Sequence, residues 1–275
     1  MKLKDLPRAF GLRGAVREYP AEVVQIPLSG GSIRFARWQH PAEREKTVTQ
    51  HSVDALSGFL RRGDVAIDIG AHTGDSTLPM ALAVGAQGTV FALEPNPHVF
   101  KVLELNASLN PESTHIVPLM FAAMPDDGEF DFEYSDEGFC NGGFHPSISA
   151  WRHGHFSKLR VQGRNLYEYL RRTSTAMLER VRFIKIDTEG FDRAVAQTLS
   201  PLLKTSRPFI KTEIYKHMPE GERSAYFNEL RALNYLCFKC GDVEYRGEPL
   251  VSGRDLMKWR HFDLFAVPEE FSADR

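Results

Sequence analysis

Between residues 22 and 38, apolar and polar side chains alternate in two runs on either side of Ser29-Gly30-Gly31-Ser32, which predicts a β-hairpin appended to the main fold. Over residues 47–60 the period lengthens. Val48, Ala55, Leu56, Phe59 and Leu60 fall on one helical face, and Arg61-Arg62-Gly63 supplies a stop signal. From Gly63 onward, short apolar runs at 65–69, 89–93, 115–119, 182–187 and 209–214 alternate with helical patterns at 76–84, 98–109, 165–172 and 192–203. Strand and helix in alternation predict βαβ units around a mainly parallel sheet. After a further helix at 221–233, strand-like runs at 235–239 and 261–267 are expected to form an antiparallel terminal pair.

The reading is an α/β fold with seven strands in a doubly wound sheet. It has an N-terminal hairpin and helix extension over residues 1–62 and a main domain over 63–275. Residues 126–163 break the rhythm. They are rich in Gly, Ser, His and aromatics, and are expected to form a lid or an inserted hairpin built from GEFDFEY and KLRV.

Composition narrows the functional classes. The 275 residues carry 34 Lys and Arg against 36 Asp and Glu, a formal net charge of −2, so the basic excess typical of nucleic-acid binders is missing. No nucleic-acid partner is expected. No window approaches the roughly 18 apolar residues of a membrane span, and the first 20 residues lack the apolar run of a signal peptide. Three cysteines cannot build a disulfide framework, which favours a reducing cytoplasm.

The segment VAIDIGAHTGDS, residues 65–76, runs from an apolar strand into a turn bracketed by Gly70 and Gly74, with Asp75 or Ser76 placed to cap the next helix. Such a turn suits close approach of a nucleotide-like cofactor. Its Gly-x-x-x-Gly spacing departs from the G-x-G-x-x-G of dinucleotide sites, which weighs against an NAD-dependent dehydrogenase. The next strand ends in Glu94-Pro95-Asn96-Pro97, 20 residues after Gly74, where a carboxylate can accept both hydroxyls of a ribose.

DIGAHTGDST, FALEPNP, LELNASLN, FIKIDTEGFD and PFIKTEIY, in this order and spacing, resemble the FkbM-type family of class I S-adenosylmethionine-dependent methyltransferases, and the closing HFDLFAVP resembles the family's last strand. The resemblance implies a Rossmann-like seven-stranded sheet with the last strand antiparallel and S-adenosylmethionine laid over the first strand ends. It implies that Asp68, Gly70, His72, Thr73 and Gly74 hold the methionine part, that Glu94 holds the ribose, and that the adenine lies near Ala122, within residues 121–123. His72 stands where the family more often has Asn.

Strand alternation places Phe183, Lys185, Asp187 and Glu189 on one face, and Phe209, Lys211, Glu213 and Tyr215 on one face of the next strand. Charges in buried strands need partners, so these residues form either an ion-pair network or an acceptor site. In the second reading Asp187 and Glu213 are the catalytic pair, orienting or deprotonating the acceptor. A variant makes Asp187, Glu189 and Glu213 ligands of Mg²⁺. Cys237-x-x-Cys240 has no second pair to complete a zinc site and reads as core; His153-Gly-His155 reads as solvated. Phe139, Phe144, His145, Trp151 and Phe156 read as walls of an acceptor pocket or as an aromatic cluster.

The functional expectation is methyl transfer from S-adenosylmethionine to a hydroxyl oxygen of a small molecule, a sugar or natural product. The alternatives are a non-catalytic cofactor-binding module and a nucleic-acid methyltransferase. A homo-oligomer is left open.

Overall fold

The computed structural model describes residues 17–134, 140, 142–143 and 157–272. The chain opens with the expected hairpin, β1 (Ala21–Leu28) and β2 (Gly31–Trp38), paired antiparallel as a sheet of its own. Helix α1 (Gln50–Ser57) starts at a capping box formed by Thr49 and Ser52 and closes at Gly58. Its end thus lies earlier than Arg61-Arg62-Gly63 suggested. Phe59, just beyond it, packs among the rings of Phe183, Phe209, Tyr245 and Phe265 at centroid distances of 5.0–5.3 Å.

The main sheet begins with β3 (Val65–Ile69), α2 (Thr77–Val84), β4 (Thr89–Leu93), α3 (Pro97–Ser108) and β5 (Ile116–Leu119), two repeats of strand and helix that lay β4 parallel beside β3 and β5 parallel beside β4. Short β6 (Ala122–Ala123), β7 (Gly128–Tyr134), β8 (Gly142–Gly143) and β9 (Ser157–Arg164) then form a separate four-stranded sheet in the order β6-β9-β7-β8. GEFDFEY and KLRV do pair antiparallel, as β7 and β9. The remaining residues of the aromatic stretch, with Phe139, Phe144, His145, Trp151, His153, His155 and Phe156, lie outside the described residues, and so does the lid expectation placed on them.

After α4 (Leu166–Thr173) and α5 (Thr175–Leu178), the chain returns to the other side of β3 as β10 (Val181–Ile186). Helices α6 (Asp192–Thr198) and α7 (Ser200–Thr205) meet at Leu199, with Pro201 at the start of the second. Strand β11 (Phe209–Ile214) runs parallel to β10. Helix α8 (Glu220–Ala232), β12 (Tyr235–Cys240), the two-residue β13 (Pro249–Leu250) and β14 (Phe262–Pro268) complete the chain. The sheet order is β13-β12-β14-β11-β10-β3-β4-β5.

The last strand, β14, runs antiparallel to both β11 and β12. This is a doubly wound, Rossmann-like sheet of seven strands with the small β13 added at one edge. Its central strands are covered on both sides, which is why they are apolar almost throughout. Ile67, Phe91, Ile184 and Ile210 face a core shared with Val195, Leu202 and Tyr226, whereas Ala66, Val90, Phe183 and Phe209 face Leu56, Leu78 and Leu103. Cys237 and Cys240 fall on opposite faces, one in each core, as expected of i and i+3 on a strand.

The N-terminal hairpin is pinned to α3. The Asn106 amide accepts from the Ala36 N–H at 2.6 Å and donates to the Ala36 and Thr73 carbonyls, so one buried side chain joins the hairpin to the β3–α2 turn.

Candidate functional site

The strand order reverses between β3 and β10, and at such a switch point the connections diverge and leave a crevice beyond the carboxyl ends. A cavity of about 1100 Å³ opens there, bordered by the ends of β3, β4, β10 and β11, by the second sheet, and by residues 42–46. Its size lies at the top of the usual range of roughly 300–1,000 Å³ for a small-molecule site.

Glu94 lines the cavity at the end of β4 and is 7% exposed. Its two oxygens accept backbone N–H groups from His72 (3.1 Å) and Asn96 (2.9 Å), which fix the carboxylate while leaving each oxygen a second lone pair. Burial pushes its pKa up to about 7, and the two N–H donors only partly oppose this.

The glycine turn is built differently from the sequence reading. Gly70 has φ +80°, and a Cβ there would lie 1.9 Å from the Asp187 carbonyl oxygen. The close approach that demands glycine is therefore to the end of β10, although Gly70 also lines the cavity. Gly74, at φ +94°, faces Leu103 and Asn106 of α3 and not the cavity. The N–H groups of Gly70 and Ala71 both donate to the Leu93 carbonyl and are not available to a ligand.

Asp68 is fully buried and lies behind the cavity wall. It accepts from Ser76 Oγ (2.7 Å), Thr77 Oγ1 (2.6 Å) and Lys185 Nζ (3.3 Å). Asp68 thus anchors α2 to β3 and does not point at a ligand, and Ser76 spends its hydroxyl on Asp68, making no cap bond of its own. Thr73 is 1% exposed, with Oγ1 buried and unpartnered among the described residues.

His72, at φ +49°, lines the cavity with Nδ1 2.9 Å from Lys46 Nζ. Burial and the adjacent Lys46 charge lower its pKa, so it is a neutral imidazole at pH 7. Lys46 in turn contacts Glu43 (3.1 Å) and Asp75 (2.8 Å). Burial opposes the Lys46 charge, but these two carboxylates outweigh it and raise its pKa. Residues 42–46 carried no recognisable motif; only the folded hairpin brings Glu43 and Lys46 to the turn. Phe121, Ala122, Ala123, Met124, Phe132 and Tyr134 supply an apolar wall.

Beyond Ile186 the chain leaves the extended state, with Glu189 at φ +56° and Gly190 at φ +107°. Strand alternation therefore holds as far as Asp187, whose side chain meets that of Lys185 on the same face, and does not continue to Glu189. The 187–190 turn is held by Asp192, which is fully buried and accepts from Thr188 Oγ1, the Gly190 N–H and the Glu213 N–H. Asp187, with its side chain 46% exposed, faces the cavity, its Oδ2 3.3 Å from Lys185 Nζ. Burial disfavours the Lys185 charge, yet Asp68 and Asp187 on either side more than compensate and raise its pKa. Lys211 pairs with Asp263 at 3.0 Å and neutralises none of the cavity acids.

Glu213 is 7% exposed, with Oε1 3.3 Å from His261 Nε2 and Oε2 buried without a partner among the described residues. Burial, then the charges of Asp187, Asp192 and Glu189, push its pKa up to about 10, so it is a neutral carboxyl at pH 7. Asp187, Glu189 and Glu213 all border the cavity but do not converge as a ligand set. Among the described residues, the one group of acids, His and Cys with ligand atoms within 4.8 Å of one another is Glu43, His72 and Cys140, with the Lys46 ammonium beside it. The Mg²⁺ reading is therefore not carried further.

The model of the methyltransferase FkbM domain matches residues 68–243, from the end of β3 to just past β12. The chain belongs to this family. Among solved structures, the FkbM domain is similar to a methyltransferase FkbM from Methylobacillus flagellatus KT, at 12% identity and TM-score 0.43, over 74% of this chain and 43% of that one. It is also similar to P. horikoshii TYW2 in complex with MeSAdo, at 12% identity and TM-score 0.43, over 96% and 81% of the two chains. A third is a SAM-dependent O-methyltransferase from Thermotoga maritima, at 15% identity and TM-score 0.41, over 90% and 77%. This chain thus spans less than half the length of the Methylobacillus protein. No curated protein matches it. No helix among the described residues is long and apolar enough to cross a membrane.

Proposed function

We propose that this FkbM-family chain transfers a methyl group from S-adenosylmethionine to a hydroxyl oxygen of a small molecule, a sugar or natural product, in a reducing cytoplasm. The observation that carries the reading is Glu94, a buried carboxylate held rigid by two backbone N–H groups at the rim of a cavity with an apolar wall. That pairing fits a nucleoside, with ribose hydroxyls on Glu94 and the base against residues 121–124.

When bound, the cofactor supplies a methyl group already activated on its sulfonium. The chain has then to align the acceptor and take up its proton. Asp187 is placed for this: it is solvent-accessible, borders the cavity and is steadied by Lys185 from behind. Glu213 is assigned a different role from the one its residue type suggests. As a neutral carboxyl it donates a hydrogen bond and does not take the proton. His72 and Gly70 shape the methionine end, whereas Asp68 and Gly74 act through the packing of α2 and α3.

The test is release of S-adenosylhomocysteine against a panel of hydroxylated acceptors. Asp187→Asn should keep cofactor affinity while turnover falls by roughly 10²- to 10⁴-fold. Tight cofactor binding with no turnover on any acceptor would instead support a binding module. A variant with full activity would remove Asp187 from the chemistry.

A further inference from the structure

At one end of the cavity, two segments that are far apart in sequence lie side by side. Residues 215–217 follow β11 and residues 259–261 precede β14; the strands pair antiparallel from Ile214 opposite Phe262. Lys216 and Arg260 both line the cavity from these segments, and both are exposed. Neither has a carboxylate within 4 Å among the described residues; Lys216 Nζ sits over the Tyr215 ring, 5.1 Å from its centroid. Of the carboxyl groups around them, Asp187 is beside Lys185, which Asp68 shares, and Glu213 is beside His261, while Glu189 on the rim feels the Lys216 charge. Lys216 and Arg260 are cations of this rim that no ion pair within 4 Å engages among the described residues.

The rim is braced from below. Arg223 is 5% exposed and uses its guanidinium entirely on backbone carbonyls, those of Tyr215 and Met218 on one segment and of Leu256, Trp259 and Arg260 on the other. All five of its N–H donors are thereby consumed in clamping the two segments together. A loop pair held this firmly needs little backbone ordering to present its two cations on binding. Glu213, whose Oε2 is buried without a partner among the described residues, lines the same end, and a neutral carboxyl can donate to an oxyanion where a carboxylate would repel it.

We propose that the acceptor carries an anionic oxyacid group, phosphate or carboxylate, which Lys216 and Arg260 hold while its hydroxyl is presented to Asp187. The inference rests on the methyl-transfer reading and names its substrate class: a hydroxylated anion, and not a neutral sugar.

The experiment is calorimetric titration of the chain saturated with S-adenosylhomocysteine, at low salt, using glucose 6-phosphate, glucuronate and glucose as probes. At least one anionic sugar should bind about tenfold or more tightly than glucose, and added salt should weaken it. Preference for glucose 6-phosphate identifies phosphate as the recognised group; preference for glucuronate identifies carboxylate. Arg260→Gln and Lys216→Gln should each weaken the anion about threefold or more while S-adenosylhomocysteine still binds, which shows that the fold is intact. Equal binding of glucose, no binding of either anion up to about 10 mM, or variants that bind the anion like the parent would overturn the proposal. Failure of the parent chain to bind S-adenosylhomocysteine would sink the methyl-transfer reading, and this inference with it.

Discussion

Glu94 and Gly70 are conspicuous in the sequence for the same reason, a strand that ends in an unusual residue, yet the fold uses them differently. Glu94 faces the cavity, and its raised pKa makes its proposed role dependent on pH. Only the ionised form offers both oxygens to a diol, so affinity for S-adenosylhomocysteine should rise as pH increases through about 7. Glu94→Gln should abolish that dependence and weaken binding at pH 8 at least about tenfold, since hydrogen bonds to a charged acceptor contribute about 1.5–3 kcal/mol each. Calorimetry at pH 6 and pH 8 reads both effects. Gly70→Ala tests packing. Its Cβ would overlap the Asp187 carbonyl, and its φ of +80° disfavours any side chain. The variant should lose about 2 kcal/mol or more, seen as a lower denaturation midpoint even without cofactor.

Elements in this chain are joined by single buried polar side chains that periodicity does not reveal. Asn106 lies in the last turn of α3, where its residue type suggests little, but it completes three hydrogen bonds to the hairpin and the glycine turn. Asn106→Ala should cost about 2–4 kcal/mol, because it leaves buried backbone groups unpaired. Hydrogen exchange should then rise together in β2 and in residues 70–74, two regions far apart in sequence. If only α3 loosens, the hairpin is not coupled to the site. Asp192 has the corresponding place on the other side, tying the 187–190 turn to β11.

Across the whole molecule, three buried carboxyl groups set the pH profile of stability. Glu94 and Asp192 titrate near 7 and Glu213 near 10, all raised chiefly by burial. Each binds its proton more tightly when folded. The stability they contribute is therefore complete below their unfolded values, near pH 4, and is lost as pH rises through 7 and then toward 10. Asp75, lowered by Lys46 against the effect of burial, acts in the opposite sense and loses its contribution only on acidification. Thermal denaturation should accordingly show the highest midpoint on the acid side of neutrality. Glu213→Gln should raise the midpoint more at pH 9 than at pH 5, since the amide has no proton to lose. An equal change at both values would mean that Glu213 is not held neutral.

Periodicity and spacing alone were sufficient for the parallel sheet, the antiparallel terminal pair, the N-terminal hairpin and the β7–β9 pair, because burial on one or both faces imposes a local pattern that any short window contains. The positions of Glu94 and the glycine turn at strand ends, where the pattern stops, were legible in the same way, but not what Gly70 and Gly74 face. Side-chain direction past those ends was decided only by tertiary structure. Glu189 leaves the strand period once the chain turns left-handed, and Asp68 is drawn to Ser76, Thr77 and Lys185. Lys46, His261, Lys216 and Arg260 reach the cavity through contacts between distant segments, and Glu213 becomes neutral because of what surrounds it. Those outcomes depend on which groups meet after folding, and a linear pattern holds no record of distances between residues that are remote along the chain.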